Sequence, residues 1–276
     1  MPTDETGGHV SLPWMTTTVR RWIVEQSLRS NVGHVASALS IVDIMVALWA
    51  SVMRDPGTSV ATRDRFILAK GHASLALYSV LRLMNRLDEP TFRTYCADGS
   101  LLGVHPEARL PGVDLSTGSL GQGLSVACGL AYGLRCRRQP SRVFVLMSDG
   151  ECNEGQVWEA VQFAAHHRLE NLTAVIDLNG VQALGFTRDI LDSSPMAEKW
   201  RAFGWEAVEV DGHDLKELVP ACATSGRGRP KVVVARTVQG KGVSFMEGKL
   251  EWHYRNLTPE LAAQALAELQ APCETR

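Results

Sequence analysis

Apolar residues in this chain fall into two kinds of segment that alternate along the sequence. Some short segments are apolar at consecutive positions, which is typical of strands buried on both faces of a sheet. These predicted strands cover residues 65–69, 142–147, 172–176, 206–210 and 231–235. Longer segments between and around them carry apolar residues at helical spacing. The predicted helices cover residues 15–28, 40–52, 73–87, 120–135, 157–167 and 215–223.

This alternation predicts an α/β fold, with a parallel sheet of about five strands and helices on both faces. We expect one domain over residues 15–256, preceded by a polar, mobile leader over residues 1–14 and followed by a C-terminal helix or tail over residues 257–276. Residues 98–116 are rich in glycine and proline and form a predicted loop. A loop of that length inside a compact domain usually has a function.

Composition and charge exclude several classes of protein. The chain has 276 residues, 45% of them hydrophobic, and a formal net charge of -2. Nucleic acid and anionic membranes favour a basic face, so neither is an expected partner. The longest apolar run, residues 38–53, is interrupted by Asp43 and by serines and is too short and polar to span a bilayer. The 6 cysteines include no C-x-x-C pair, which favours reduced thiols and a cytoplasmic location.

Two predicted strands are followed by residues that can bind a cation. Asp149 follows the strand 142–147, and Asn179 follows the strand 172–176. Ligands of open α/β sheets bind beyond the carboxyl ends of the strands. If the two strands are neighbours, a carboxylate and an amide oxygen meet there, and this pair suits magnesium or calcium. The same residues also cap helices and turns, so spacing alone leaves both interpretations open.

A glycine-rich segment and four histidines are the other candidates for chemistry. Residues 117–124 enter a predicted helix, whose free N–H groups favour a phosphate, although close helix packing explains the glycines equally well. His34, His72, His105 and His253 each lie just beyond a break in the apolar pattern. Their number predicts a cluster of proton donors around a polar ligand.

Asp149 and Gly150, followed later by Asn179, resemble the thiamine-diphosphate signature G-D-G…N. Together with this signature, further segments resemble motifs of the transketolase family and occur in the same order as in that family. They are residues 31–40, 70–74, 104–107, 117–124, 211–214 and 240–246. The resemblance extends from about residue 15 to residue 256. Only the diphosphate-binding (PP-type) domain of that family is matched. The resemblance therefore implies the N-terminal subunit of a split transketolase, active only with a C-terminal subunit in an α2β2 assembly.

The resemblance also assigns cofactor contacts. It implies thiamine diphosphate and a magnesium or calcium ion as cofactors. The side chains of Asp149 and Asn179 and the carbonyl of Val181 would bind the metal, and Gly150 would approach the diphosphate. Further contacts through backbone groups would come from Gly118 and Leu120.

The implied catalytic residues are four histidines and one glutamate. His72 and His253 would face the diphosphate and the reacting centre. His34 and His105 would hydrogen-bond the hydroxyl and carbonyl oxygens of the donor sugar. Glu154 would link the two active sites of the dimer. The implied reaction transfers a two-carbon ketol unit from a ketose or ketose phosphate to an aldehyde, with the activating glutamate supplied by the partner subunit.

The sequence departs from the family pattern at a few positions without losing a ligating side chain. Ser148 replaces the first glycine of the signature, Leu178 replaces an asparagine, and Ser119 replaces a common proline. Ala183 and Leu184 form a small, apolar pair beside the expected thiazole site, which leaves the sugar substrate open.

Two alternative functions stay open at the level of sequence. One is the alpha subunit of another thiamine-diphosphate enzyme, either a 2-oxo-acid dehydrogenase or one similar to deoxyxylulose-phosphate synthase. The other is a non-catalytic cofactor-binding module. The contexts of His72 and His105 favour transketolase over the first, and the complete set of candidate residues argues against the second.

Overall fold

Parallel strands form the central sheet of the computed structural model, which describes residues 10–224 and 226–270. The strands of the described residues are β1 (Arg65–Leu68), β2 (Val143–Ser148), β3 (Leu172–Leu178), β4 (Val181–Gln182), β5 (Gly185–Phe186), β6 (Glu206–Asp211) and β7 (Lys231–Arg236). Five of them pair in the order β1-β2-β3-β7-β6, which confirms the predicted sheet, while β4 and β5 form a separate antiparallel ribbon.

The register of the sheet aligns the carboxyl ends of its middle strands. Ser148 at the end of β2 lies opposite Asp177 near the end of β3. Leu178 at the end of β3 lies opposite Arg236 at the end of β7. The neighbouring strands required for Asp149 and Asn179 to meet are therefore present.

Helices cover both faces of this sheet. They are α1 (Leu12–Ser30), α2 (Val35–Ser40), α3 (Val42–Ala47), α4 (Ser74–Leu83), α5 (Glu89–Phe92), α6 (Gln122–Cys136), α7 (Gly155–His166), α8 (Thr187–Ile190), α9 (Met196–Ala202), α10 (Leu215–Ala223) and α11 (Pro259–Glu268). Short 3-10 helices span Gly71–Ala73, Gly150–Asn153 and Leu250–His253.

Alternate residues of the strands pack into two separate apolar cores. Phe144 and Leu146 of β2 face a core that is completed by α1 to α4, α10 and α11. Val145 and Met147 of the same strand face a second core that is completed by α6, α7 and α9. Because both faces are covered, successive residues of β2 are apolar from Val143 to Met147, as the sequence pattern predicted.

The predicted single helix over residues 40–52 is wrong in its detail. The chain forms α2 and α3 on either side of Ile41, and α3 continues into a π-helical turn over Leu48–Val52. Almost every side chain in this stretch is buried. With no polar face, the sequence carries no periodicity that could mark the break.

Other boundaries differ at the ends of elements. Helix α1 begins at Leu12, inside the expected leader, where the Ser11 hydroxyl accepts a hydrogen bond from the Trp14 amide. Residues 1–9 of that leader lie outside the described residues, as do residues 271–276 of the expected tail. The predicted helix over residues 73–87 ends at Leu83. The short elements α5, α8, α9 and the β4–β5 ribbon were not predicted, because they are too brief to show a period.

The long loop agrees with expectation, and a helix lies near the end of the described residues. Residues 98–116 contain neither helix nor strand. Helix α11 lies inside the segment 257–276 and packs its Ala262 and Ala265 into the first core. No helix among the described residues is both long enough and apolar enough to cross a bilayer.

Candidate functional site

The carboxyl ends of β2 and β3 border a cavity of about 280 Å³. Asp149, Asn179 and Val181, the three expected metal ligands, all line it. Asp149 follows β2 directly, Asn179 follows β3, and Val181 begins the β4–β5 ribbon. The structure thus brings together residues that the sequence places on separate elements.

Asp149 is fully buried, and its hydrogen-bond donors within the described part of the chain are all neutral. Its Oδ1 accepts a hydrogen bond from the Gly150 amide at 2.8 Å. Its Oδ2 accepts from the Gly180 amide and from the Thr187 hydroxyl, each at 2.9 Å. Burial and then the charge of Asp177 raise the pKa of Asp149 to about 6, although these hydrogen bonds oppose the rise. A buried carboxyl group held in this way suits a bound cation.

Asn179 presents an amide oxygen whose direction is set by its neighbours. Its Nδ2 donates to Asp177 Oδ2 at 2.8 Å, and its Oδ1 accepts from the Val181 amide at 3.0 Å. One carboxylate, one amide and one backbone carbonyl are the oxygen ligands that magnesium and calcium prefer. Within residues 10–224 and 226–270 no three His, Cys, Asp or Glu side chains gather as a metal site. The donor set therefore fits a hard cation that shares its shell with a phosphate ligand.

The glycine-rich segment ends at the start of α6. Gly121, with φ of +85°, caps this helix, and its amide donates to Glu151 Oε1 at 2.8 Å. Burial raises the pKa of Glu151 to about 7. Gly118 and Leu120 are exposed just before the cap. Glu154 is also exposed and lies beside the same turn, since a Cβ on Gly121 would be 2.8 Å from its Cβ.

Three of the predicted histidines form a cluster. The ring centroid of His34 lies 5.4 Å from that of His72 and 5.5 Å from that of His253. The rings of His72 and His253 are 5.7 Å apart. Burial, helped by neighbouring positive charge, lowers the pKa of His34, lowers that of His72 further, and lowers that of His253 to about 4. These rings are therefore neutral at neutral pH.

His105 lies on the long loop and faces the glycine-rich segment. A Cβ on Gly118 would be 3.2 Å from its ring. Tyr78 anchors the loop, since its hydroxyl donates to the His105 carbonyl at 3.2 Å. The ring also acts electrostatically on the cluster, because its charge contributes to the lowered pKa values of His34 and His72. All four expected histidines thus lie in one region.

Several residues around the cavity were missed by sequence reasoning. The residues that hold Asp149 and Asn179 in place are Ser40, Lys70, Asp177, Thr187 and Thr237. Two of them had a signal, because Lys70 precedes the Gly71-His72 pair and Asp177 stands two positions before Asn179. Lys70 and Asp177 contact each other across 107 positions of sequence, so neither position showed this contact.

Known proteins match this chain closely. The family "Transketolase, thiamine diphosphate binding domain" matches residues 14–269. The "6-deoxy-6-sulfo-D-fructose transketolase subunit SqwG" of Clostridium sp. (strain MSTE9) is 38% identical over 266 residues, covering 95% of this chain and 97% of that protein. An apulose-4-phosphate transketolase subunit from Phocaeicola vulgatus is 34% identical over 259 residues, covering 92% of each protein.

A solved structure gives the same picture of the fold. The transketolase of Campylobacter jejuni superposes with a TM-score of 0.86 at 25% sequence identity. The match covers 95% of this chain but only 43% of that chain. The chain therefore spans less than half of this solved transketolase, while it spans nearly all of the two subunits.

Proposed function

The chain belongs to the transketolase family, in its thiamine-diphosphate-binding domain, and we therefore propose that it is the diphosphate-binding subunit of a two-chain transketolase. Two relatives of similar length are named as transketolase subunits, which supports this division of labour. The reaction is transfer of a two-carbon ketol unit from a ketose to an aldehyde. The two relatives are named for different sugars, so the proposal stops at the class of reaction.

The observation that carries the proposal is the convergence of Asp149, Asn179 and Val181 on one cavity. These residues would hold magnesium or calcium through a carboxylate, an amide oxygen and a carbonyl. Gly150, beside them, would offer its backbone to the diphosphate. Bound thiamine diphosphate would supply the electron sink that lets a carbon–carbon bond next to a ketone break.

The histidines would donate protons to the oxygen atoms of the sugar and accept protons from its hydroxyl groups. A neutral ring accepts a proton at one nitrogen and donates one at the other. His72 and His253, more buried than His105, would serve the diphosphate and the reacting centre. His34 and His105 would bind the donor hydroxyl and carbonyl oxygens. Gly118 and Leu120 would contact the cofactor through their backbones.

A partner subunit completes the proposed enzyme. It would contribute the pyrimidine-binding and C-terminal domains in an α2β2 assembly located in the cytoplasm. Glu154, exposed beside the glycine-rich turn, would connect the two active sites. The transketolase names of the relatives favour this interpretation over a 2-oxo-acid dehydrogenase subunit.

Reconstitution tests the proposal. We expect the purified chain to show no ketol transfer alone, and to show transfer with its complementary subunit when thiamine diphosphate and a divalent metal are present. The matched control is the same mixture with Asp149→Ala, which should be inactive. Robust turnover by the single chain would contradict the two-chain proposal. A mixture that binds the cofactor but converts no ketose would indicate a non-catalytic module.

A further inference from the structure

A buried ion pair lies directly behind the metal cavity and takes no part in the reaction as proposed. Lys70 Nζ lies 2.5 Å from Asp177 Oδ2, and both side chains are 0% exposed. Lys70 also donates to the Ser37 carbonyl at 3.2 Å. A buried ion pair often stabilises a protein no better than apolar residues of the same size would. Its presence at this place therefore calls for a role other than stability.

Asp177 is a junction of hydrogen bonds. Its Oδ2 accepts from Asn179 Nδ2 at 2.8 Å as well as from Lys70. Its Oδ1 accepts from the Ser40 hydroxyl at 2.6 Å and from the Thr237 hydroxyl. A carboxylate has about four acceptor sites, and all four are in use. Asp177 therefore has no free acceptor site for a cation, although it stands two residues from an expected ligand.

The junction decides which way the Asn179 amide points. The oxygen and nitrogen of an amide are alike in size, so the hydrogen-bond partners select its orientation. Nδ2 faces the Asp177 carboxylate and the Ser40 hydroxyl, the latter at 3.3 Å. A rotated amide would set its oxygen against that carboxylate, which repels it. Oδ1 must then point to the Val181 side, where the metal ligands converge.

Lys70 holds the Asp177 carboxylate in place, because its Nζ lies 2.5 Å from Oδ2 and both side chains are 0% exposed. Removing one partner of a buried ion pair leaves the other charge uncompensated, so the carboxylate would move toward another partner. Such a movement would disturb the junction that orients Asn179. We propose that Lys70 and Asp177 are positioning residues of the metal site, which hold the Asn179 oxygen toward the ion and withhold the second carboxylate from it. This inference rests on the proposed function, because that function places the metal at Asn179.

The direction in which Lys70→Met changes the affinity for Mg²⁺ distinguishes a positioning role from a purely electrostatic one. If Lys70 acts only through its positive charge, removing that charge should leave the affinity for Mg²⁺ unchanged or increase it, because like charges repel. If the pair positions Asn179, Lys70→Met should instead weaken binding by about 10- to 100-fold, as is usual when a residue behind a metal ligand is lost. Asp177→Asn, which keeps the shape but sets donors against donors, should weaken it similarly.

The experiment uses the complex of this chain with its partner subunit, saturated with thiamine diphosphate. Mg²⁺ is titrated into that complex, and calorimetry measures its binding. The matched control is Lys231→Met. Lys231 is also buried, but it lies at the amino end of β7, whereas the metal cavity lies at the carboxyl ends of the strands, and it donates to the Thr224 carbonyl at 3.2 Å. We expect this control to lower stability without shifting the affinity for Mg²⁺.

The outcomes are distinct. A wild-type complex that binds neither Mg²⁺ nor thiamine diphosphate overturns the proposed function. If the wild type binds, unchanged or tighter Mg²⁺ binding by Lys70→Met overturns the positioning role alone, as does an equal loss in Lys231→Met. Should Lys70→Met not fold, Ser40→Ala removes the contacts of Ser40 with Asp177 and Asn179 without removing a charge. We expect it to weaken Mg²⁺ binding about three- to tenfold, the range for losing ordinary hydrogen bonds, and no change would overturn the inference.

Discussion

The backbone of Gly33 lies so close to Tyr254 that a Cβ on Gly33 would be 2.4 Å from the Tyr254 carbonyl oxygen. Only glycine permits this approach. The contact fixes the turn before His34 against the short helix that carries His253. Their rings lie 5.5 Å apart, so this close approach helps to hold together two histidines that are distant in the chain.

Gly33→Ala should therefore disturb both stability and catalysis. The added methyl must displace the Tyr254 backbone, and overpacking of this kind costs about 1–3 kcal/mol. Since a displacement of about 1 Å can slow an enzyme by roughly 100-fold, we expect kcat of the reconstituted enzyme to fall by about that factor. Urea unfolding and steady-state kinetics measure the two effects.

The matched control for this change is Gly129→Ala in α6, where a Cβ would meet nothing within 4 Å. For the chain alone, this control should raise the free energy of unfolding by about 0.5–1 kcal/mol, because alanine is the better helix former. A Gly33→Ala protein with normal stability and normal kcat would contradict the role of the contact.

Asp149→Ala should abolish detectable binding of thiamine diphosphate with magnesium. It removes the only carboxylate among the expected ligands, and magnesium requires near-ideal oxygen geometry. We expect the fold to be retained, since the hydrogen-bond donors of Asp149 are neutral and lie beside the cavity. Calorimetry on the complex measures binding, and circular dichroism checks the fold.

Asp211→Asn is the control for that experiment. Asp211 also ends a strand, but β6 is at the edge of the sheet and Asp211 is exposed. Its replacement should leave cofactor affinity unchanged. Normal affinity in Asp149→Ala would mean that the ion binds elsewhere.

His105→Ala should lower kcat by about ten- to ten-thousand-fold, the range for loss of one proton-transferring or orienting group. Cofactor affinity should change little, because the metal ligands lie on other loops. A purely structural His105 would lower stability and leave turnover per folded, loaded enzyme intact. Steady-state kinetics normalised to cofactor-loaded enzyme distinguish the two, with His166→Ala, a histidine of α7 outside the cluster, as the control.

The histidine cluster should make the metal-free chain sensitive to acid. Burial, followed by the charges of His34 and Lys70, lowers the pKa of His253 to about 4. An unfolded histidine has a pKa of about 6.5. As the pH falls between these values, the unfolded chain takes up a proton that the folded chain does not, so the free energy of unfolding decreases.

His253→Gln should reduce the slope of the free energy of unfolding against pH by the equivalent of up to one bound proton. Urea unfolding of both proteins between about pH 7 and pH 4 gives the slope, and above about pH 7 the difference between them should be constant. His72, whose pKa is also lowered by burial, keeps part of the slope in the variant. Identical slopes in the two proteins would show that the pKa of His253 is not lowered in the folded chain.

Local patterns in the sequence by themselves determined most of the central sheet and several residues of the candidate site. Runs of apolar residues predicted the strands of the central sheet, most clearly the inner ones, because a strand covered on both faces has no polar side. The edge strand β6 was predicted although it contains Glu206 and Glu209. The residues just after two of these strands, Asp149 and Asn179, were found as candidates because the topology of parallel sheets puts such positions at the ligand-binding edge. Family motifs then assigned the histidines, whose isolated contexts carried only a general indication of proton chemistry.

Only the tertiary structure decided how these residues are held. The contacts of Asp177 with Lys70 and of Gly33 with Tyr254 join segments far apart in the chain, and no local pattern encodes such a pairing. The break at Ile41 was hidden for a related reason, since a stretch buried on all sides shows no period. Local sequence sets which backbone form is favourable, whereas the orientation of a buried amide or carboxylate depends on which distant groups packing brings within hydrogen-bond distance.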